Sequence, residues 1–185
     1  SNADLTGANL GGVSGQLSSY SNIILPNEFR ILFDRIYPKM IINGCIVEPS
    51  TICVGTDFDG VDLSGVDLSN ADLTNAILST VDLSNANLTN ANLSGATIAN
   101  AVLTGADFTN ANLSGAILNS SYMQNTNFSS SDLTNASLVG TRLYSANMSG
   151  ANLTNASLLS AELDGANLSN ADLTGANLGG VSGQL

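Results

Sequence analysis

Residues 81–115 decide the fold, and they run VDLSN ANLTN ANLSG ATIAN AVLTG ADFTN ANLSG. The same five-residue unit, A-(D/N)-L-x-x, extends in both directions without an insertion, and it fills Thr51 to Gly180 with 26 consecutive units. A large apolar residue takes the third place of every unit, and a small residue, usually Ala, takes the first. A tandem repeat of this length indicates a solenoid.

A period of five matches neither an α-helix nor a simple alternating strand. It divides into three extended residues and a two-residue corner. Because residues two apart in a strand share a face, the first and third residues point inward and the Asp or Asn between them points outward. Gly or Asn usually ends the unit, as at Gly60 and Asn70, and both tolerate the positive φ of a type II turn. We expect a different corner at Ser120, Ser130 and Ser160, which break this preference.

A second spacing, of every fourth unit, indicates the number of sides in each coil. Phe108 and Phe128 are four units apart, and positions 72, 92, 112, 132, 152 and 172 are all Asp or Asn. Four units make four sides, so the array predicts about 6.5 coils and a rod about 31 Å long at roughly 4.8 Å per coil. The inward third residues form the predicted core, which includes Phe58, Leu73, Leu93, Phe108, Leu113, Met123, Phe128, Leu133, Met148, Leu153 and Leu173.

The array of residues 51–180 resembles the pentapeptide-repeat family, and its uninterrupted units and Asn-rich outer faces look most like the cyanobacterial members. That resemblance implies an all-β fold, a right-handed quadrilateral parallel β-helix, here with a small helix and hairpin as a cap. It also implies a non-enzymatic structural or protein-interaction scaffold with an unidentified partner. As an alternative, some members of the family mimic DNA and modulate type II topoisomerases such as gyrase.

The charge of the array counts against the DNA-mimic alternative. A duplex about 31 Å long carries about 18 phosphate charges. The array carries 11 acidic residues against the single cation Arg142, a net charge of −10, and more than half of the acidic residues lie near one end. The array also lacks the projecting loops and the C-terminal helical dimer module that the resemblance associates with those mimics. We therefore place the scaffold role first.

Residues 18–50 leave the period and predict a cap for the solenoid, with a binding element as the alternative role. Asn27 and the apolar spacing that follows it predict a helix over about residues 27–37, although a strand fits the same residues. The dipeptide Asn43-Gly44 predicts the turn of a hairpin over about residues 40–47. A cap is expected because a solenoid end exposes apolar side chains and unpaired backbone.

The two ends of the chain have the same sequence. Residues 1–17, a short pentapeptide segment, are identical to residues 169–185, which include a tail at 181–185. We interpret the identity as a sign of a longer protein with tandem arrays, or of an engineered duplication. We also expect end-to-end self-association, in which the last coil stacks on another copy.

Composition excludes several functions. A net charge of −11 with only 4 Lys and Arg residues argues against direct nucleic-acid binding. No stretch approaches the roughly 20 apolar residues of a membrane span. The chain has no His, so nucleophilic catalysis of the usual Ser–His or Cys–His kind is excluded, and we predict no enzyme activity and no cofactor.

Two cysteines, Cys45 and Cys53, are too few for a disulfide framework or for structural zinc. We expect both to be buried thiols. Composition constrains the compartment only weakly and favours the cytoplasm.

Two surface features are candidate sites. Asp62 and Asp82 fall on adjacent coils, where they predict either a solvated acidic face or a weak site for a hard cation such as calcium. Elsewhere apolar, aromatic and basic residues replace the outward Asp and Asn, which indicates either a protein interface or neutral drift on a tolerant surface. These residues are Ile77, Ile117, Val139 and Leu159 on one side of the coil, and Val102, Tyr122, Arg142 and Tyr144 on the next.

Overall fold

The computed structural model describes residues 40–183, so the predicted helix over residues 27–37 and the segment 1–17 lie outside the described part. The described chain opens with a hairpin of two antiparallel strands, β1 (Ile41–Ile42) and β2 (Cys45–Ile46). Asn43 and Gly44 form its turn with φ of +49° and +83°. Positive φ at both central residues is what a two-residue hairpin turn of this type requires, and Asn-Gly supplies it.

After the hairpin the chain winds into an all-β solenoid. Its isolated bridges are all parallel, and each joins residues four units apart, from Ile52↔Asp72 to Glu162↔Ser182. Each coil therefore has four sides, and the quadrilateral β-helix predicted from the sequence is confirmed. Residues 40–183 contain no helix, and thus none that could cross a membrane.

Each side of a coil bonds to the coils before and after it through the backbone. Leu113 N donates to Asp132 O at 2.7 Å, and Asp132 N donates to Ala111 O at 2.9 Å. The corners repeat the arrangement, because Gly115 N donates to the next coil at Thr134 O and Ala116 N closes the turn on Leu113 O. Stability in such a stack is approximately a sum of nearest-neighbour terms.

The expectation of a different corner at the serine-ended units is wrong. The φ angles of Ser120, Ser130 and Ser160 are +59°, +56° and +57°, against +57° for Asn110. The left-handed conformation costs a non-glycine residue roughly 1–2 kcal/mol. Each serine keeps the left-handed conformation because its backbone amide donates a hydrogen bond to the next coil, as Ser120 N does to Val139 O at 2.9 Å.

The core is a column of inward side chains, and most of the predicted core residues have no measurable exposure. Leu173 differs, since it is only partly buried, and Leu178 after it is 40% exposed. Within residues 40–183 no further coil lies beyond these two leucines, so one end of each side chain has no coil packed on it.

Four buried hydroxyl side chains replace the inward Ala, and each is hydrogen-bonded as buried polar groups require. Ser121 Oγ accepts from Ala101 N at 3.0 Å and donates to Ile98 O at 2.7 Å, so it bridges two backbone groups of the preceding coil. The others donate to backbone carbonyls, and they are Thr126, Ser131 and Thr141.

The two cysteines form a disulfide, so the expectation of free buried thiols is wrong. Cys45 and Cys53 are joined with their Cα atoms 5.4 Å apart, inside the usual range for this bond. The hairpin turns the chain back on itself, which brings Cys45 to the inward position held by Cys53. Counting cysteines could not reveal this proximity, because it depends on how the cap folds.

Candidate interaction surface

Four columns of outward residues run along the solenoid, one for each side of the coil. We number the sides in chain order: side 1 contains Asp57, side 2 contains Asp62, side 3 contains Asp67 and side 4 contains Asp72. Successive members of a column are one coil apart and pair by parallel bridges. Because consecutive units form adjacent sides, side 1 adjoins side 2 and side 3 adjoins side 4.

Sides 3 and 4 are columns of Asp and Asn from Asp67 and Asp72 onward. The amide of one coil donates to the carboxyl or amide oxygen of the coil before it, as Asn87 Nδ2 does to Asp67 Oδ1 at 3.0 Å. The side-chain oxygen of an Asp or Asn on these sides also accepts a hydrogen bond from the backbone amide two residues later, at the corner, as Asn92 Oδ1 does from Ser94 N. Much of the hydrogen-bonding capacity of these two sides is therefore used within the solenoid.

Sides 1 and 2, with the corners that follow them, carry all eight residues predicted as an interface. Ile77 and Ile117 lie on side 1, and Val102, Tyr122 and Arg142 lie on side 2. The remaining three occupy the corners after these sides, and they are Val139, Leu159 and Tyr144. We call this set of eight residues the apolar face.

The apolar face is both exposed and extended. Ile77, Ile117, Tyr122 and Leu159 are each about two fifths exposed, at 41–42%. The face extends from the coil of Ile77 to the coil of Leu159, four coil steps or about 19 Å. The structure thus places the predicted residues on one continuous pair of sides.

A stacked cation lies within the apolar face. Arg142 Cζ is 4.7 Å from the centroid of the Tyr122 ring, and Arg142 Nε is 3.7 Å from Glu162 Oε2. The side chains of this ion pair are 43% and 35% exposed, so the pair itself adds little stability. Its effect is to hold the guanidinium against the ring, where a cation–π contact forms.

Sequence reasoning missed Glu162. It lies one coil after Arg142 on side 2, so the spacing that places Tyr122 beside Arg142 could have identified it. Glu162 Oε2 is hidden from solvent and has no hydrogen-bond partner among the described residues. The guanidinium of Arg142 faces this oxygen at 3.7 Å, too far for a hydrogen bond, so the ion pair stabilises it through charge alone.

Asp62 and Asp82 pair across adjacent coils on side 2, as the cation hypothesis requires. Each carboxylate also closes its own corner, because Asp62 Oδ1 accepts from Ser64 N and Asp82 Oδ1 accepts from Ser84 N. Hydrogen bonds from the side chain and backbone of Ser64 lower the pKa of Asp62 below 3.8. Within residues 40–183 no three His, Cys, Asp or Glu side chains lie together as possible metal ligands. The hydrogen bonds of Asp62 and Asp82 cap their own corners.

The sequence matches the family model described as pentapeptide repeats, with 8 copies that together span residues 50–79 and 82–180. No curated protein matches the chain.

Among solved structures, the chain is similar to a trypsin-treated form of QnrB1, a plasmid-mediated fluoroquinolone resistance protein. The match has 19% identity over 74% of this chain and 85% of that chain, and the TM-score is 0.42. It is similar to HetL, a pentapeptide repeat protein involved in heterocyst differentiation regulation in the cyanobacterium Nostoc sp. strain PCC 7120. That match has 25% identity over 83% and 95% of the two chains and a TM-score of 0.27. The protein alr5209 from Nostoc PCC 7120 matches with 32% identity over 68% and 84%, at a TM-score of 0.25.

Family membership follows from the repeat match, which covers well over half of the chain and coincides with the coiled residues. The family fold is a right-handed β-helix, as the resemblance implied. The chain belongs to the pentapeptide-repeat family.

Proposed function

We propose that the chain is a non-enzymatic scaffold that binds a protein partner through the apolar face. The observation that carries this proposal is the segregation of outward residues. From Asp67 and Asp72 onward, sides 3 and 4 are Asp and Asn only, whereas apolar and aromatic residues recur on sides 1 and 2. Cross-coil hydrogen bonds account for the Asp and Asn of sides 3 and 4, and we attribute the exposed apolar residues of sides 1 and 2 to a partner surface.

The chemistry of the face suits a protein interface. Tyr and Arg are enriched at the energetic centres of interfaces, where aromatic anchors lie among contacts that exclude water. Tyr122 and Arg142 are already stacked on each other, and their backbones are bonded into the solenoid. A rigid, preorganised surface loses little entropy on binding.

A charge-matched pair of double variants tests the assignment. The variant Ile117→Glu with Tyr122→Glu places two carboxylates on the apolar face. The control Thr89→Glu with Ser149→Glu adds the same charge at corners between sides 3 and 4, away from the apolar face. Partners cross-linked to the wild-type chain in the cells that produce it should be retained by the control and lost by the first variant, when both are measured by quantitative mass spectrometry. Equal retention by the two variants, or equal loss, would overturn the assignment.

End-to-end contact between copies is a second part of the proposal. Leu173 is only partly buried and Leu178 is 40% exposed, although the corresponding side chains of earlier coils are fully covered. A second copy stacked on this coil would cover them. Sedimentation should show concentration-dependent association that Leu178→Asp weakens. A single monomeric species at every concentration would contradict this part.

Modulation of gyrase is the alternative, and the geometry favours it less. Six acidic residues of the array lie between Asp57 and Asp82, and the apolar face occupies much of the two sides beyond them. A DNA mimic needs charge along its length. We expect neither inhibition nor drug protection in a gyrase supercoiling assay with the purified chain, and either effect would reverse this ranking.

A further inference from the structure

The first unit of the array departs from all the others at its inward third residue. Cys53 occupies that position, whereas every unit after it has Leu, Ile, Phe or Met there. Cys53 is 2% exposed, and its amide donates to Asp72 O of the next coil at 2.8 Å. The disulfide to Cys45 therefore ties the hairpin to a residue that belongs to the core column.

Few other described contacts hold the hairpin against the first coil. Asn43 Nδ2 donates to Asp57 O at 2.6 Å, and Ile42 and Val47 are partly buried against the core. Ile41, next to Ile42 in β1, is 63% exposed. A two-stranded hairpin of this length is not stable by itself in water. Among the described residues, the disulfide is the covalent cross-link between the hairpin and the solenoid.

We propose that the Cys45–Cys53 disulfide is a redox-sensitive latch, and that its reduction releases the hairpin while the array stays folded. The reductant is a dithiol. One of its thiolates attacks a cysteine sulfur, the Sγ–Sγ bond breaks, and the second thiol resolves the mixed disulfide. Two electrons and two protons pass to the protein, which leaves Cys45 and Cys53 as thiols and the reductant as a disulfide.

The folded cap shields the latch from attack. Thiol–disulfide exchange requires access of the thiolate to sulfur, and Cys45 and Cys53 are only 5% and 2% exposed. Reduction therefore waits for a local opening of the hairpin. The rate of reduction should rise with the concentration of dithiothreitol and then level off at the opening rate.

The array should survive the release because its coils bond to one another without the hairpin. Gly55 N donates to Thr74 O and Phe58 N donates to Ile77 O, and neither bond involves β1 or β2. In a nearest-neighbour stack a local loss at the first coil does not propagate to distant coils.

Hydrogen exchange of the full chain, with and without dithiothreitol, tests the latch. Closing the loop between the two cysteines restricts the open cap by chain entropy, so reduction should speed exchange in Ile41–Ile46 on the order of 50- to 100-fold. Amides in the middle of the array, such as Leu113 N and Leu133 N, should keep their protection. The double variant Cys45→Ala with Cys53→Leu restores the usual inward residue and should behave like the reduced wild type without any reductant.

Three results would overturn the latch. Unchanged exchange in the hairpin after complete reduction would show that the other contacts suffice. Loss of hydrogen-exchange protection throughout the array would show that the disulfide stabilises the whole solenoid and not the hairpin alone. A reduction rate that rises with dithiothreitol without levelling off would show that the bond is reached in the closed cap.

Discussion

The ring of Phe128 stacks on the ring of Phe108, with centroids 5.0 Å apart and an angle of 14° between the planes. The two residues are four units apart in the sequence and one coil apart in the solenoid, and both are fully buried. Each coil thus supports the next through side chains as well as through the backbone.

Replacing Phe128 by Ala should leave a cavity beside Phe108 and lower the free energy of unfolding by about 3–5 kcal/mol. Phe128→Leu supplies the residue that most other coils use here, so its loss should be under about 1.5 kcal/mol. Urea denaturation monitored by circular dichroism measures both. Similar losses for the two variants would show that the stack has no specific packing role.

Neighbouring residues that point in opposite directions should respond differently to the same new charge. Leu113→Asp places an unpaired carboxylate in the core and should cost about 3–5 kcal/mol or more. Ser114→Asp adds the same charge one residue later, at the corner after side 4 where the side chain is partly exposed, and should cost less than about 1 kcal/mol. Comparable melting temperatures for the two variants would invalidate the inward and outward assignment.

Two glycines with nearly the same φ allow the backbone strain of a Gly→Ala substitution to be distinguished from its steric crowding. Gly105 and Gly115 have φ of +72° and +67°, so Ala at either place costs about 1–2 kcal/mol in backbone strain. A Cβ at Gly105 would lie 2.6 Å from Asn85 Oδ1, whereas one at Gly115 meets nothing within 4 Å. Gly105→Ala should therefore lose more stability than Gly115→Ala in urea denaturation. Equal losses would mean that Asn85 moves aside at no cost.

The corner carboxylates should make the fold sensitive to acid. Hydrogen bonds from Thr174 to Asp172, and from Ser64 to Asp62, hold the pKa of each carboxyl below 3.8. These pKa values are lower in the folded than in the unfolded state. The stabilisation is therefore fully present above the pKa of the unfolded carboxyl, and it is lost as the pH falls through the lower pKa of the folded state.

The double variant Asp62→Asn with Asp172→Asn tests this sign. Asn also caps a corner, as Asn92 does for Ser94 at 3.2 Å, so the corner bond is kept and stability near neutral pH should change little. Urea midpoints measured down to about pH 3 should fall less for the variant than for the wild type. A steeper acid loss in the variant would contradict the assignment.

Most of the fold was predictable because the five-residue period fixes the direction of every side chain. Inward Leu113, outward Asn112 and the positive φ at Gly115 follow from position in the unit, and the structure has all three. The grouping of Ile117 and Tyr122 on adjacent sides followed from the spacing of four units per coil. Glu162 was missed because the search for interface residues on these sides covered apolar, aromatic and basic residues, whereas the spacing was applied to acids only at Asp62 and Asp82.

The sequence by itself determined the solenoid, its four sides and its core, since a strict repeat imposes the same local geometry on every unit and leaves one way to stack them. Only the tertiary structure decided the Cys45–Cys53 bond, the left-handed corner at Ser120 and the exposure of Leu178. Each of these depends on contacts between coils or at an end of the stack. Such contacts join residues that are distant in the chain or break the repeat, so the local pattern carries no information about them.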